Sequence, residues 1–356
     1  MNAAARVTDT GTRWIAQLEP DALIAAWLAH PPRDFIADTV AGAPRFLAAF
    51  DILTTLEPPL LQRLQGWPGY RLWSRWLRWK TQFVGCTSSE YALLPKGVDA
   101  DAFADAIVGD ADASARLLIV KDLARHSPLL DADENAACEA AIAALEARSF
   151  VLLEGMPLAW VALDFADEDD YLARLSSSRR KNIRRKLRSR QDVAIEQVAC
   201  GDPRFDDESV IDEYVRLFAN VHAQSDVHFD ELTRGYLATL LRQAAGGGIV
   251  FIYRHDGEMI GWNLCYPWRG ALVDKYVGFV YPQAREHNLY ALSWMHNLGI
   301  ARSMGLQRYI AGWTDAEAKR QLGAQFTMTW HAVRPRNPLL RMLLSRMRGL
   351  FEGAPA

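Results

Sequence analysis

The chain of 356 residues lacks the short motifs that mark several common enzyme classes. It contains no GxSxG, no P-loop, no GxGxxG, no HExxH and no EF-hand loop. Each of these patterns sets a nucleophile, phosphate-binding glycines or metal ligands at a fixed spacing. Their absence argues against a serine hydrolase, a P-loop NTPase, the common type of dinucleotide-binding enzyme and a zincin protease.

Cysteine is scarce, and long apolar runs are absent. The four cysteines lie more than 50 residues apart, at Cys86, Cys138, Cys200 and Cys265. They form no Cys-Cys or Cys-His ligand pair, so we expect neither structural zinc nor another metal, and a reducing compartment. No run of about 18 apolar residues and no signal-peptide core is present. These absences predict a cytoplasmic protein.

The chain as a whole has no large excess of positive or negative charge. There are 40 Lys and Arg against 43 Asp and Glu, which gives a net charge of -3. A protein that binds nucleic acid over its whole surface is usually basic throughout. The hydrophobic fraction of 50% supplies a sizeable core, and the length predicts two domains.

The apolar periodicity predicts mixed α/β structure. Residues 1–65 are expected to form short helices and turns. Strands are predicted over 70–95, 116–123, 249–280, 308–313 and 327–335, and two more around the Gly155 turn. Helices are predicted over 99–109, 131–148, 172–190, 208–222, 230–244, 288–304 and 314–322. Asp256-Gly257 is a strong hairpin turn signal.

A basic segment is the strongest local feature. Eight basic residues and no acidic one lie between Arg179 and Arg190. Like charges four residues apart on a helix repel each other. Three interpretations stay open: an external anion such as a phosphate or RNA, an acidic surface of the same protein, or an exposed face without a partner.

Two further segments are candidates for a site. Residues 274–288 read as a strand that ends near a glycine and opens into a loop before a helix, where backbone groups can hold a carbonyl or phosphate. In residues 308–326, Thr314 and Glu317 predict a capping box for a helix that carries Lys319. Histidines in the second half, among them His222, His228 and His296, are candidates for a general base.

These segments resemble, in the same order, those of Fem-type peptidyltransferases and their CelD-type relatives in the GNAT acyltransferase superfamily. The resemblance covers roughly residues 150–335. It is carried by YLARLSSSRRKNIRRKLRSRQDVAI, HDGEMIGWNL, DKYVGF with Asn288, and GLQRYIAGWTDAEAKRQLGA. It implies an α/β (α+β) fold of tandem GNAT-like domains with mixed, mostly antiparallel sheets flanked by helices. The expected domains are 1–165 and 166–336, followed by an amphipathic helix over 337–356.

The resemblance also implies an activity. The expected reaction is N-acyl transfer from a phosphopantetheine thioester, either acyl-CoA or acyl carrier protein, to an amine of a small-molecule, cell-envelope or natural-product acceptor. The thioester is a co-substrate, so no tightly bound cofactor is expected. Lys319 is expected to polarise the carbonyl, and Asp274, Tyr276 or His296 to accept the amine proton. Donor binding is expected from Arg179, Arg180, Lys181, Arg184, Arg185, Val277, Gly278, Phe279 and Asn288.

One segment departs from the usual GNAT pattern. Ordinary members have a glycine-containing pyrophosphate loop after the splayed strand, whereas this chain has Gln283 to Asn288 without glycine. An aminoacyl-tRNA-dependent amide ligase, with tRNA as partner, is therefore the alternative. A second alternative is a non-catalytic polyanion- or membrane-binding module, in which the basic C-terminal helix makes peripheral contact with the inner membrane.

Overall fold

The computed structural model describes residues 12–51, 63, 65–70, 74–225 and 229–346. They divide into two compact units. Of the described residues, unit 1 comprises 12, 17–32 and 157–327, and unit 2 comprises 13–16, 33–156 and 328–346. The predicted domain boundaries at 165 and 336 stay a prediction. The described part of the predicted C-terminal helix ends at Arg346.

Eleven helices lie in the described part of the chain. Unit 1 holds α1 Asp21–Ala29, α4 Glu168–Ala173, α5 Ser177–Lys186, α6 Glu208–His222, α7 Arg234–Arg242, α8 Gln283–Glu286, α9 Leu289–Ser303 and α10 Ala316–Leu322. Unit 2 holds α2 Ala100–Gly109, α3 Ala132–Ala147 and α11 Pro338–Arg346. Short 3₁₀ helices span Ser74–Leu77, Leu187–Asp192, Pro203–Asp206 and Ala244–Gly246.

Thirteen strands accompany these helices. They are β1 Trp14–Ile15, β2 Ile36–Val40, β3 Ala43–Asp51, β4 Arg78–Val84, β5 Leu94–Pro95, β6 Leu117–Ala124, β7 Val151–Ala162, β8 Ala194–Ala199, β9 Ile249–His255, β10 Glu258–Trp268, β11 Ala271–Phe279, β12 Arg308–Gly312 and β13 Gln325–Pro335. The mixed α/β class that the sequence predicts is confirmed.

In unit 1 the sheet runs in the order β8, β9, β10, β11, β12, followed by the second half of β7. All neighbours are antiparallel except β11 and β12, which are parallel. The predicted hairpin turn at Asp256-Gly257 joins β9 to β10. The core under this sheet is apolar and aromatic, with Phe251, Trp294 and Tyr309 almost fully buried.

In unit 2 the sheet runs β2, β3, β4, β6, β13 and the first half of β7. Here β4 and β6 are the parallel pair, while β2–β3, β3–β4 and β6–β13 are antiparallel. Each unit thus has one parallel pair inside an otherwise antiparallel sheet. The minor strands β1 and β5 form a separate two-stranded sheet.

Side-chain caps fix the ends of several helices. Asp131 and Glu134 form a capping box at the start of α3. Ser176 accepts a hydrogen bond from the Arg179 amide and so begins α5. Ile183, 1% exposed, anchors α5 to the core, and α5 packs against α9 and α10. The basic helix is therefore attached to the two helices that carry the other candidate segments.

Four local predictions are wrong. Residues 36–51 form two strands rather than helices and turns, because bulky residues of β3 such as Phe46 stack on Phe83 of the neighbouring strand. The chain passes Gly155 without turning, as one strand, β7. The single helix expected over 172–190 is broken into α4, α5 and a 3₁₀ turn. The predicted capping box of α10 does not form, because Glu317 bonds to Arg320 and Gln321 instead.

Candidate functional site

The parallel strands of unit 1 pair over only three residues. Ala271 to Val273 lie beside Arg308 to Ile310. Strand β11 continues to Phe279 and β12 to Gly312, so the two strands separate beyond the paired segment. The separation opens a notch at the centre of the sheet, where main-chain groups are free from the ladder.

A β-bulge lies at the start of this notch. Asp274 pairs with Cys265 and Tyr276 with Leu264, which leaves Lys275 as the extra residue. A bulge leaves its extra residue outside the ladder and redirects the side chains around it. The Lys275 side chain is 5% exposed, although the residue as a whole is more accessible. Lys275 therefore presents mainly its backbone to the notch.

The notch is the floor of a cavity of about 540 Å³. Its walls come from β11, β12, α6, α9 and α10 and from the loop that precedes α9. Among the residues lining it are Lys186, Gln224, Asp274, Lys275, Val277, Phe279, Tyr281, Arg285, Asn288, Tyr309, Asp315 and Lys319. This volume falls in the range of small-molecule sites. Cationic residues outnumber anionic ones in the lining, which favours an anionic ligand.

Asp274 is the central polar group of the cavity wall. Its carboxylate accepts hydrogen bonds from the Tyr309 hydroxyl at 2.6 Å, from Asn263 at 2.5 Å and from Asn297 at 3.3 Å. Burial raises the pKa of Asp274, while these bonds and the positive charge of Lys319 oppose the shift. A carboxylate with a raised pKa that lines a cavity is suited to accept a proton.

Lys319 reaches the cavity from α10 and is 5% exposed. The helix ends at Gly323, which has a φ of +103°. A Cβ there would lie 2.5 Å from the Tyr171 hydroxyl oxygen and 2.8 Å from a Leu175 methyl group. The Tyr171 hydroxyl donates to the Leu322 carbonyl. The end of the helix that bears Lys319 is thus held by close contact with α4 and the residues after it.

Helix α9 begins at the cavity. Asn288 precedes it in a left-handed conformation, with no side-chain cap and no acidic residue in the first turn. Asn288, Tyr290 and Ala291 all line the cavity. The partial positive charge of a helix N-terminus is therefore directed at the ligand space, and it favours a phosphate or a carbonyl oxygen there.

The basic segment that starts with helix α5 is partly paired within the chain, as one of the three interpretations predicts; binding of an external anion stays a prediction. Arg184 pairs with Asp169 at 2.9 Å, and Arg190 after it pairs with Glu168 at 2.7 Å. Lys186 lines the cavity, whereas Lys181 is exposed. The acidic start of α4 thus neutralises part of the segment. The rest stays available to an anion.

The structure brings some of the predicted site residues together and leaves others apart. Lys319, Asp274, Val277, Phe279 and Asn288 all line the cavity. The predicted phosphate-binding residues of α5 are not among the lining residues, although their neighbour Lys186 is. They are Arg179, Arg180, Lys181, Arg184 and Arg185.

Tyr276 and Gly278 face the other side of the sheet. The Tyr276 hydroxyl lies 3.0 Å from that of Tyr236 on α7. A Cβ on Gly278 would meet the Trp262 indole at 2.2 Å, so this glycine allows a close approach of the ring. Because side chains alternate along a strand, these two residues lie opposite Val277 and Phe279.

His296 is also outside the cavity lining. Its ring packs edge-on against Phe251, with 4.8 Å between ring centroids. Burial and the charge of Arg190 lower the pKa of His296 to about 4. The geometry does not support the predicted role of His296 as the base. Of the other histidines, His222 contacts the Asp230 carbonyl at 3.0 Å, and His228 is outside the described residues.

Sequence reasoning missed two parts of the site. Asn263, Asn297 and Tyr309 hold Asp274, but they are dispersed among apolar stretches with no motif around them. Lys275 forms an ion pair with the fully buried Glu19, with 3.5 Å between Nζ and Oε1. Glu19 lies 256 residues earlier in the chain. The sequence signal for this ion pair is the position of the Glu19 carboxylate in an apolar N-terminal stretch.

Among the described residues of unit 2, the space beyond the parallel pair is filled rather than open. Four residues of β4 pair with β6 up to the end of β4 at Val84. The following segment folds back, and the Ala92 amide donates to the Asp122 carbonyl at 2.8 Å. Ser88, Glu90 and Tyr91 are at most 2% exposed. The space beyond β4 is thus occupied by the chain itself.

Comparisons with known proteins agree with this architecture. Residues 177–347 match the family described as acetyltransferase (GNAT) domain. No curated protein matches the chain in sequence. Among solved structures, the C-terminal domain (DUF2156) assigned to a lysylphosphatidylglycerol synthetase of Agrobacterium fabrum is 14% identical, with a TM-score of 0.52. The alignment covers 95% of this chain and 94% of that one.

Two further solved structures are similar. L-PGS from Bacillus licheniformis is 11% identical with a TM-score of 0.51, over 94% of this chain and 97% of that one. FemX is 11% identical with a TM-score of 0.48, over 90% and 96%. At such identities the likeness concerns the fold. The family match and the splayed parallel pair agree with the GNAT part of the resemblance: residues 177–347 match an acetyltransferase (GNAT) domain, and the protein is an acyltransferase.

Proposed function

We propose that the protein transfers an acyl group from a phosphopantetheine thioester, carried by CoA or by an acyl carrier protein, to an amine. The cavity between the separated strands β11 and β12 carries this proposal. It joins a carboxylate with a raised pKa, Asp274, a buried lysine, Lys319, and the N-terminus of α9 in one space.

The donor fits the cavity in one direction. Lys186, Arg285 and the start of α9 supply positive charge for the phosphates of the donor. The pantetheine arm then lies along Val277 and Phe279 of the separated strand. This direction brings the thioester carbonyl to the bulge, beside Asp274 and Lys319. The remaining basic residues of α5 add a long-range field that attracts an anionic donor.

The chemistry requires little covalent help from the protein. The acceptor nitrogen attacks the thioester carbon, so that an N–C bond forms and the C–S bond breaks. The Asp274 carboxylate accepts the proton that the amine loses, and the pantetheine thiol leaves. The Lys319 ammonium and the backbone of the bulge stabilise negative charge on the carbonyl oxygen. Positioning of donor and acceptor supplies the rest.

An aminoacyl-tRNA donor is the second candidate. Two solved structures with TM-scores above 0.5 are named a lysylphosphatidylglycerol synthetase domain and L-PGS. The exposed part of the basic helix fits an RNA backbone, since phosphates are bound largely through Lys and Arg. With this donor a C–O ester bond breaks instead of a C–S bond, while the cavity residues keep their roles. The acceptor is an amine in both cases, because the second candidate is an amide ligase.

Transfer from radiolabelled acetyl-CoA, acyl carrier protein and lysyl-tRNA to a panel of amines and lipids tests the proposal. We expect a thioester donor to be used and the activity to survive ribonuclease. Lys319→Ala should lower kcat by about 10² to 10³, the usual loss for one oxyanion donor. Arg320→Ala on the same helix is the matched control and should leave kcat unchanged, because Arg320 is exposed and bonded to Glu317.

Two results would count against the proposal. Activity that depends only on lysyl-tRNA and is destroyed by ribonuclease would favour the second candidate. Transfer from any donor at an unchanged rate in both Lys319→Ala and Asp274→Asn would show that the reaction takes place outside this cavity.

A further inference from the structure

Unit 2 exposes several large apolar side chains, and some of them lie in two short segments. Trp76, in the 3₁₀ helix Ser74–Leu77, is 80% exposed. On α11, Leu339 is 70% exposed and Met342 is 49% exposed. Single exposed apolar residues are ordinary on protein surfaces, but a group of them marks an interaction site.

The two segments lie at the same end of the unit 2 sheet. Strand β4 begins there at Arg78, β6 begins at Leu117, and β13 ends at Pro335. Arg116 connects them. Its amide donates to the Lys80 carbonyl at 2.8 Å, and its carbonyl accepts from the Arg336 amide at 2.9 Å. The 3₁₀ helix that precedes β4 and the helix α11 that follows β13 therefore lie at the same end of the sheet.

This end of the sheet is also basic. Arg75 and Arg78 are exposed beside Trp76. Arg346 is exposed at the end of α11, and Arg341 lies within the helix. Arg336 is exposed just before the helix and donates to the Asp112 and Ala113 carbonyls. The neighbouring carboxylates are already partnered within the unit. Asp112 lies 3.7 Å from the Lys80 ammonium, and Asp110 is paired with Arg45 at 2.8 Å.

Tryptophan, leucine and methionine surrounded by arginine fit one environment best. The border between lipid headgroups and acyl chains accommodates an indole with one polar edge, short apolar side chains, and arginines that reach phosphate. An interfacial helix has this composition, with cationic and apolar positions on neighbouring faces. A protein partner offering only apolar contact would leave these arginines without anions.

We propose that this end of unit 2 binds the surface of an anionic phospholipid bilayer. Trp76, Leu339 and Met342 enter the headgroup boundary, and the surrounding arginines contact phosphate. The described residues contain no helix long and apolar enough to cross a bilayer. The proposed contact is peripheral and reversible. This inference is independent of which acyl donor unit 1 uses.

Flotation of the full chain with vesicles tests the proposal. We expect binding to vesicles of phosphatidylglycerol and phosphatidylcholine, and little binding to phosphatidylcholine alone. The triple variant Trp76→Ser/Leu339→Ser/Met342→Ser should bind at least tenfold more weakly. Met304→Ser is the matched control, because Met304 in unit 1 is 43% exposed, and it should bind as the unaltered chain does.

A charge variant separates the two components of the surface. Arg75→Glu/Arg341→Glu should lose binding to anionic vesicles while keeping all three apolar residues. Binding of the unaltered chain should fall as salt rises, because exposed charges are screened. An unchanged melting temperature, measured by circular dichroism, shows for each variant that the fold is kept.

Three outcomes would overturn the proposal. The first is equal flotation of the triple variant and the unaltered chain. The second is the absence of vesicle binding together with self-association that the triple variant loses, which would assign the surface to a second copy of this chain. The third is that the triple variant no longer binds tRNA but still binds vesicles.

Discussion

His296 shows how a side chain with catalytic potential becomes part of the core. Its ring lies against Phe251, and its Nε2 atom is buried without a hydrogen-bond partner among the described residues. A positive charge on this partly buried ring would lose much of its hydration, and Arg190 adds repulsion. The neutral imidazole is therefore favoured in the folded protein.

This shift links stability to pH. Because the pKa of His296 is about 4 in the folded chain and near 6.5 when unfolded, the unfolded state binds the extra proton between these values. The contribution of the neutral His296 ring to the free energy of unfolding is fully present above about pH 6.5 and is lost as the pH falls through 4. We expect the free energy of unfolding to decrease by about 2 kcal/mol over this window from His296 alone.

Urea unfolding at pH 7 and pH 4.5 measures the contribution. His296→Gln should reduce the difference in unfolding free energy between the two pH values. His126→Gln is the control, since His126 has a 76% exposed side chain and should leave the difference unchanged. If the two variants behave alike, another group is responsible for the acid sensitivity.

At the scale of the element, α10 depends on the glycine that ends it. Gly323 combines a positive φ with close contact to Tyr171 and Leu175. Adding a Cβ there forces a strained backbone and moves α4 or α10, because the Tyr171 ring is held by the Leu322 carbonyl and is packed against Phe165. The strain falls on the helix that positions Lys319.

We expect Gly323→Ala to lower the free energy of unfolding by about 2 kcal/mol or more, from the positive φ and the clash together. It should also reduce kcat more than it raises KM, since the donor phosphates bind elsewhere. Chemical denaturation and steady-state kinetics measure both effects. Gly257→Ala is the comparison: it shares a positive φ but has open space around it and lies in a hairpin turn. Equal losses of kcat in both variants would contradict the role given to α10.

Elements with local signals could be predicted from sequence, and those held by distant partners could not. The helices α6 and α9 and the strands β9 to β12 follow apolar periodicity and turn residues, so their places agree with the pattern. Lys319 and Asp274 could be selected because they sit in recognisable segments. The bulge at Lys275 depends on the register with β10, and the Glu19 partner depends on tertiary packing. Neither leaves a mark on the neighbouring residues.

At the scale of the whole molecule, the two units differ in what lies beside their parallel strands. In unit 1 the parallel strands separate and leave a cavity. In unit 2 the segment after β4 occupies the space beyond the paired residues with buried side chains such as Ser88 and Glu90. We therefore expect one donor site per chain, in unit 1.

Isothermal titration calorimetry with a non-reactive thioether analogue of the donor measures the number of donor sites per chain. We expect one analogue per chain. Val277→Trp should abolish the binding, because the indole fills the wall along which the pantetheine arm lies. A second equivalent, or binding that persists in Val277→Trp, would mean that a different surface accepts the donor.

The bulge in β11 also has a consequence for how this chain tolerates insertions and deletions. Side chains of a strand face alternate sides, so a one-residue slip exchanges the two faces. If Lys275 were taken into a regular ladder, either Asp274 or the Val277 and Phe279 pair would turn away from the cavity. Deletion of Lys275 would instead leave Asp274 two positions from Val277, on the same face, so the strand tolerates the loss of this residue better than the loss of a neighbour. The extra residue, Lys275, allows the Asp274 carboxylate and the apolar Val277 and Phe279 to line the same wall of the cavity.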